Sequence, residues 1–336
     1  MIISSTDACE SNGLAVSSPS QGEPILDVRD LSVRFGSVRA VTNVSFRVSR
    51  GEFFGIVGES GSGKSITARS IIKLLPPSAR VEGRITFEGT DILSASPDEL
   101  RQLRGSGIGF VFQDAVAALD PVYTIGYQLV EACRAKMPGV SASQAHSRAL
   151  SLLAEVGISD PERCLASYPH QLSGGMKQRV VIAAALIADP QLIIADEPTT
   201  ALDVTVQKQV LELLQKIAAA RGAAVILITH DLGVVAEVCD RTAVFYAGTV
   251  VEEADTFTLF KEARHPYTVA LIESLPVLGV RKAFKAIPGS PPKVVEQLEQ
   301  CPFAPRCDRA LPECGARLPP ETVSPDHRYR CINPYT

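Results

Sequence analysis

The sequence has no long hydrophobic run. Its longest uninterrupted apolar stretch, VVIAAALIA from Val180 to Ala188, covers nine residues, whereas a membrane-crossing helix needs roughly 20. It has no basic excess: the net charge is -4 at pH 7 and the pI about 5.8, so no overall positive field steers it to nucleic acid. The opening residues, MIISSTDACESNG, lack the basic start and apolar stretch of a secretory signal. A cytosolic chain is the expectation, in a compartment where stable disulfides are rare. Membrane attachment would then come through partners. No repeat of fixed period is present.

What is there is the composition of a globular protein with a sizeable core, 46% hydrophobic and 21% charged. A length of 336 residues allows one large domain or two smaller ones. Residues 1 to 23 are rich in Ser, Gly and Pro without apolar periodicity and read as a mobile tail. From Ile25 strand-like runs follow: ILDVRDLSVRF, VSFRVS and FFGIVG. A helix is expected from Ser65 to about Leu75, stopped by Pro76 and Pro77. GRITFEG and GIGFVFQ read as further strands, and residues from about 120 to 188 as mostly helical, with AHSRALSLLAEVG amphipathic. QLIIAD and AAVILIT are buried-strand patterns, each feeding a helix, which is the rhythm of a parallel α/β sheet. After His265 prolines and cysteines become dense, and regular structure is expected to fade.

Three motifs carry chemistry. GESGSGKS, Gly58 to Ser65, sits between a strand and a helix and fits G-x-x-x-x-G-K-[ST]. Its glycines let the backbone curl so that successive N–H groups converge on phosphate oxygens. Lys64 would neutralise β/γ charge, Ser65 would hold Mg²⁺, and the helix N-terminus adds its dipole. LIIADE, Leu192 to Glu197, ends a buried strand in two carboxylates at the sheet edge where α/β proteins bind ligands. Asp196 would hold Mg²⁺, directly or through water, and Glu197 would orient or deprotonate an attacking water. Alone, this pair would serve equally as a solvated strand end. LSGGMKQR, Leu172 to Arg179, opens a helix with the bare amides of Ser173, Gly174 and Gly175, a second anion-binding device. Alone it would be a flexible N-cap.

In this order the motifs resemble those of the ATP-binding cassette (ABC) family over roughly residues 25 to 255. The resemblance implies an α/β fold with a RecA-like P-loop core, an antiparallel β subdomain and a helical subdomain at about 114–188, all within 24–260. It implies that Phe35 stacks on adenine and that Gly58, Glu59, Ser60, Gly61, Ser62, Gly63, Lys64, Ser65 and Ile66 bind the nucleotide. Gln113 would join Ser65 and Asp196 around Mg²⁺ and face a membrane partner. ALD, Ala201 to Asp203, matches the D-loop, and His230, thirty-three residues after Glu197, matches the switch histidine. Leu172, Ser173, Gly174, Gly175 and Met176 would complete the ATP site of a second subunit, head to tail, so that two ATP molecules lie at the interface. ATP-driven closure and opening would be the power stroke.

RHPYTVALIESLP (Arg264 to Pro276), IPGSPPKVV, CPFAPRC and the run from Phe112 to Leu129 further resemble ATPases of oligopeptide and dipeptide importers, a group that nickel importers share. Ala115 departs from that pattern, which would place proline after Gln113-Asp114. The resemblance implies a peripheral ATPase on the cytoplasmic face of the bacterial inner membrane. Its partners would be a second, different ATPase, two permease subunits and, indirectly, an extracytoplasmic solute-binding protein, with no nucleic acid. Nickel or another small solute remains an alternative cargo. A soluble ATPase acting on ribosomes or DNA remains an alternative class, as does an exporter ATPase.

Half of the eight cysteines lie in the last 36 residues: Cys301, Cys307, Cys314 and Cys331. Cys9, Cys133, Cys164 and Cys239 suit independent thiols better. Four clustered thiolates suit tetrahedral Zn²⁺ or a [4Fe–4S] cluster. The spacing C-x5-C-x6-C-x16-C lacks the close pairs of structural zinc and favours iron, and the resemblance to importer ATPases implies a cluster in this 261–336 extension. Its first role would be structural.

Overall fold

Alternating apolar residues set up a hairpin at the start of the computed structural model, which describes residues 23–200, 202–275, 287–292, 299–324 and 326–336. β1 (Leu26–Phe35) and β2 (Val38–Val48) pair antiparallel, with Val28 opposite Phe46, Leu31 opposite Val44 and Val33 opposite Val41, all buried. β3 (Phe53–Val57) then enters a second sheet and feeds α1 (Lys64–Ile71). β4 (Ala79–Phe87) returns to β1, and β5 (Thr90–Asp91) closes a four-stranded sheet of order β2-β1-β4-β5. After α2 (Pro97–Gln102), β6 (Ile108–Val111) leads into a helical arm of α3 (Ile125–Lys136), α4 (Ala142–Glu155), α5 (Pro161–Ala166) and α6 (Gly174–Leu186).

The chain then alternates through β7 (Leu192–Asp196), α7 (Val204–Arg221), β8 (Ala224–Thr229), α8 (Leu232–Val238) and β9 (Arg241–Tyr246). β10 (Thr249–Asp255), α9 (Thr256–Lys261) and α10 (Pro266–Glu273) follow, and β11 (Thr322–Val323) and β12 (His327–Tyr329) end the second sheet. Its order is β11-β12-β10-β9-β3-β8-β7-β6. The pairs from β9 to β6 are parallel, as the continuous apolar runs require of strands buried on both faces. The period of two divides these runs between two cores. Phe54, Ile56, Ile226 and Ile228 pack toward the antiparallel sheet, while Phe53, Val57, Val225 and Leu227 pack toward the helices. Each such side chain contributes about 1.5–3 kcal/mol on burial.

Two expectations change. α1 ends at Ile71, ahead of Pro76, because Lys73 turns left-handed (φ 50°) and Leu74 N–H closes back on the Arg69 carbonyl at 2.8 Å. Arg104 then takes the carbonyls of Ile72 (2.8 Å) and Lys73 (2.7 Å), capping from a distant segment that local periodicity does not register. Regular structure also continues past His265. That residue caps α10, its Nδ1 accepting the Tyr267 N–H at 3.1 Å, with Pro266 at the first helical position. β12 joins β10, and its His327 and Arg328 pair with Glu252 and Glu253 of that strand. A three-residue polar strand has no sequence signature of its own. The expected mobile tail lies, apart from residue 23, outside the described residues, as do Cys9, Ala201, Pro276 and part of IPGSPPKVV. No described helix is long and apolar enough to cross a membrane.

The last segment belongs to the helix-side core. Phe303 is 2% exposed, edge-on to Tyr246 and tilted against Tyr267, both at 5.3 Å between ring centres. Phe303→Ala should therefore cost about 3 kcal/mol of stability in urea unfolding followed by circular dichroism. A loss below about 1 kcal/mol would show that the tail adds nothing to this core.

Candidate functional site at the carboxyl edge of the parallel sheet

The phosphate loop is shaped by backbone crowding. Gly58 has φ 149°, and a Cβ there would stand 2.1 Å from the Phe245 carbonyl oxygen. Gly63 has φ 98°, with a Cβ position 2.7 Å from the Ala40 carbonyl oxygen. Only glycine fits either place. The Ser62 carbonyl accepts the Gly248 N–H at 3.0 Å, which ties the loop to the turn after β9. Ser60 and Gly61 are exposed, Ser62 is buried, and Ile66 packs against the core under the antiparallel sheet. Lys64, at the start of α1, is 4% exposed, and its ammonium donates to the carbonyls of Gly58 (2.7 Å) and Glu59 (2.9 Å). Burial pulls its pKa down, while the carboxylates of Glu197, Asp196 and Glu59 work against that shift.

β7 delivers the acids. Asp196 is fully buried, and its Oδ1 accepts the Ser65 hydroxyl at 2.7 Å. Among the described residues its buried Oδ2 has no hydrogen-bond partner, and burial raises the carboxyl pKa. An orphaned carboxylate oxygen beside a serine hydroxyl fits a hard, oxygen-seeking cation such as Mg²⁺. Glu197 has φ 48°, a left-handed conformation that costs about 1–3 kcal/mol in a non-glycine residue and recurs at functional sites. Its Oε2 accepts from Gln113 Nε2 and Thr200 Oγ1, each at 2.9 Å, while Oε1 carries no hydrogen bond among the described residues. His230 Nδ1 lies 3.6 Å from Oε2, with its side chain 56% exposed. Gln113 thus engages the second acid rather than the Ser65–Asp196 pair.

The other expected residues lie apart. Ser173 caps α6, accepting the Met176 N–H at 3.3 Å, Leu172 is buried, and a Cβ at Gly174 would meet nothing within 4 Å. Gly175 lies against Val206 of α7, whose N-cap is Asp203. Among the described residues no hydrogen bond or ion pair joins 172–176 to 58–66. Phe35, at the end of β1, is half-buried.

The four late cysteines do meet. Cys301, Cys307, Cys314 and Cys331 line one cavity of about 10 Å³ with His265, and burial raises the thiol pKa of Cys301, Cys307 and Cys331, the last to about 11. Neighbouring thiols add to each of these shifts, so joint ionisation needs a compensating cation. Against expectation, no three His, Cys, Asp or Glu among the described residues are placed to hold a metal ion. The cavity has room for about one water molecule. Cys133, Cys164 and Cys239 are separate buried thiols.

Sequence reasoning missed Thr200, and it missed Arg306 and Tyr267, which reach the phosphate loop from the tail. Only the TT after Glu197 hinted at the first, and nothing local pointed to the others.

Comparison with known proteins gives the family. A family model described as ABC transporter matches residues 41–200. The dipeptide transport ATP-binding protein DppD of Bacillus subtilis is 48% identical over 317 residues, covering 92% of this chain and 94% of its own length. The chain belongs to the ABC transporter ATP-binding proteins. A second model, described as the oligopeptide/dipeptide transporter C-terminal region, matches residues 251–314 of this ABC chain. The oligopeptide transport ATP-binding protein OppD of Mycobacterium tuberculosis is also 48% identical over 92% of the chain. Here the chain spans about half of the relative's length, 52%. Among solved structures, a dimeric ATP-binding cassette in a post-hydrolysis state with ADP and Pi is 33% identical, with a TM-score of 0.62, covering 69% of this chain and 98% of its own.

The orphaned oxygen makes a specific demand on this ABC site. Asp196→Asn should raise the Mg²⁺ concentration needed for half-maximal nucleotide binding about tenfold, measured by titration with a fluorescent ATP analogue. An unchanged Mg²⁺ requirement would remove Asp196 from the cation site.

Proposed function

We propose that this chain is the ATP-hydrolysing subunit of a bacterial importer of peptides, working peripherally at the cytoplasmic face of the cell membrane. The observation that carries the reaction is Glu197, which Gln113 and Thr200 hold by Oε2 beside the Ser65–Asp196 pair, leaving Oε1 for a water. The cargo class rests on the names of the relatives and on the match of residues 251–314 to a peptide-transporter region. Loop amides and Lys64 bind the phosphates, and Phe35 stacks on the base. Ser65 and Asp196, with the amide oxygen that Gln113 does not use on Glu197, would hold Mg²⁺, which supplies neutralisation of phosphate charge when bound. Glu197 takes the proton of the attacking water, and His230, within reach of both the carboxylate and solvent, contacts the γ-phosphate.

Leu172 to Met176 and Asp203 serve a second subunit's ATP. The absence, among the described residues, of any hydrogen bond or ion pair from 172–176 to this chain's own phosphate loop, and the open approach to Gly174, support that reading. The second subunit is a different ATPase, and two permeases receive the motion. Val116, Val122, Tyr123 and Tyr127, all exposed and following Gln113, with the two tyrosines stacked at 4.6 Å, offer an apolar patch for them. In this reading residues 24–260 form the nucleotide-binding unit, with the arm at about 114–188, and 261–336 an extension built onto it.

The four tail thiols take up a [4Fe–4S] cluster rather than a single zinc ion. Their spacing, C-x5-C-x6-C-x16-C, lacks the close pairs typical of structural zinc, and all four line one cavity. Protein purified anaerobically should absorb broadly near 400 nm and hold about four iron per chain. Stoichiometric zinc without iron would overturn this assignment.

Glu197→Gln should keep nucleotide binding and lose turnover by about 100-fold or more, read by phosphate release from the assembled transporter. Alone with Mg-ATP, the same variant should stay largely monomeric in light scattering. Hydrolysis within about twofold of wild type would sink the role of Glu197, and a tight symmetric homodimer would sink the unlike partner.

A further inference from the structure

The phosphate loop is fastened from the tail. Arg306 ends the short turn Ala304–Arg306 between Cys301 and Cys307, and its side chain is 5% exposed. Nη1 and Nη2 grip the two carboxylate oxygens of Glu59 at 2.6 and 3.0 Å. Nη1 also reaches the Tyr246 hydroxyl (3.2 Å), and Nε donates to the Pro288 carbonyl (2.7 Å). The guanidinium lies against the rings of Tyr246 and Phe303, 5.8 and 5.9 Å from their centres. The backbone of Glu59 is held as well: its N–H donates to the buried Tyr267 hydroxyl at 3.0 Å. Both the side chain and the amide of one phosphate-loop residue are thus gripped by residues more than 200 positions away.

Glu59 is an awkward residue for its place. A carboxylate at the mouth of a loop meant for a polyanion repels it, and Glu59 also acts electrostatically on Lys64. We propose that Arg306 is a positioning residue for nucleotide binding. Its fork holds the Glu59 carboxylate neutralised, so that this acid does not compete with incoming phosphate for the ammonium. Tyr267 fixes the amide of the same residue. This rests on the reading that residues 58–66 bind ATP. A purely structural ion pair would stabilise the tail without selecting for what the loop binds.

A double-mutant cycle on the full chain separates the two, using titration with a fluorescent ATP analogue and Mg²⁺ and the KM and kcat of the assembled transporter. Arg306→Gln should weaken nucleotide binding about tenfold, raising KM with kcat changed less than about twofold. In a Glu59→Gln background the same change should weaken binding by less than about threefold, because no carboxylate is left unpaired. Equal effects in both backgrounds, or none in either, would overturn the proposal. Should Arg306→Gln fail to fold, Arg306→Lys, which keeps charge but loses the fork, replaces it in the same cycle with the same two readings. If the wild-type chain itself binds no nucleotide, the ATP reading fails and the clamp with it. If it binds and the cycle shows no coupling, the clamp alone fails.

Discussion

Lys64 and Asp196 are charged groups taken almost wholly out of water, 4% and 0% exposed, at the ends of neighbouring elements. Unpaired, each would cost several kcal/mol, and the rest of the site is arranged around that penalty. The loop spends its own carbonyls on Lys64, and Ser65 covers one oxygen of Asp196. What remains uncovered, the second oxygen of Asp196, is left to a ligand. The arrangement holds because β3, β7 and β8 are buried on both faces and cannot relax toward the unsatisfied atom.

The same rigidity fixes Glu197. Its N–H donates to the Ile228 carbonyl at 2.9 Å, extending the β7–β8 pairing by one residue while its φ turns positive. The ladder therefore supports the unfavourable backbone, and the carboxylate points where Gln113 and Thr200 meet it. Gln113 leads from β6 into the helical arm. Any shift of that arm would move the amide that holds Oε2, which couples the arm's position to the placement of the acid.

Much of this was legible in sequence. The phosphate loop, the acid pair and the parallel order of the later strands follow from local patterns: glycines at fixed offsets, and apolar runs of strand length ending in carboxylates. Legibility stopped where long-range contacts decide. Arg104 shortens α1 from some thirty residues away. His327 and Arg328 make a strand only because β10 offers buried Glu252 and Glu253. The four late cysteines line one cavity, but no three metal-ligating side chains among the described residues are placed to hold an ion, a matter of side-chain placement that spacing does not encode. Arg306 had no local signal, since an arginine in CPFAPRC looks like an ordinary solvated cation.

Charge balance shows why the tail belongs with the site. The carboxylates of Glu59, Asp196 and Glu197 all act on the Lys64 ammonium. One buried cation facing three acids would be held by them rather than offered to phosphate. Asp196 accepts the Ser65 hydroxyl and also feels the Arg69 charge, while Glu197 is met by the neutral donors Gln113 and Thr200. Glu59 receives a full opposing charge by direct contact, and it comes from Arg306, beyond the last strand of the parallel core. The phosphate-loop motif therefore does not close electrostatically on its own, and the residues that close it are carried by the segment that sequence patterns set apart from it.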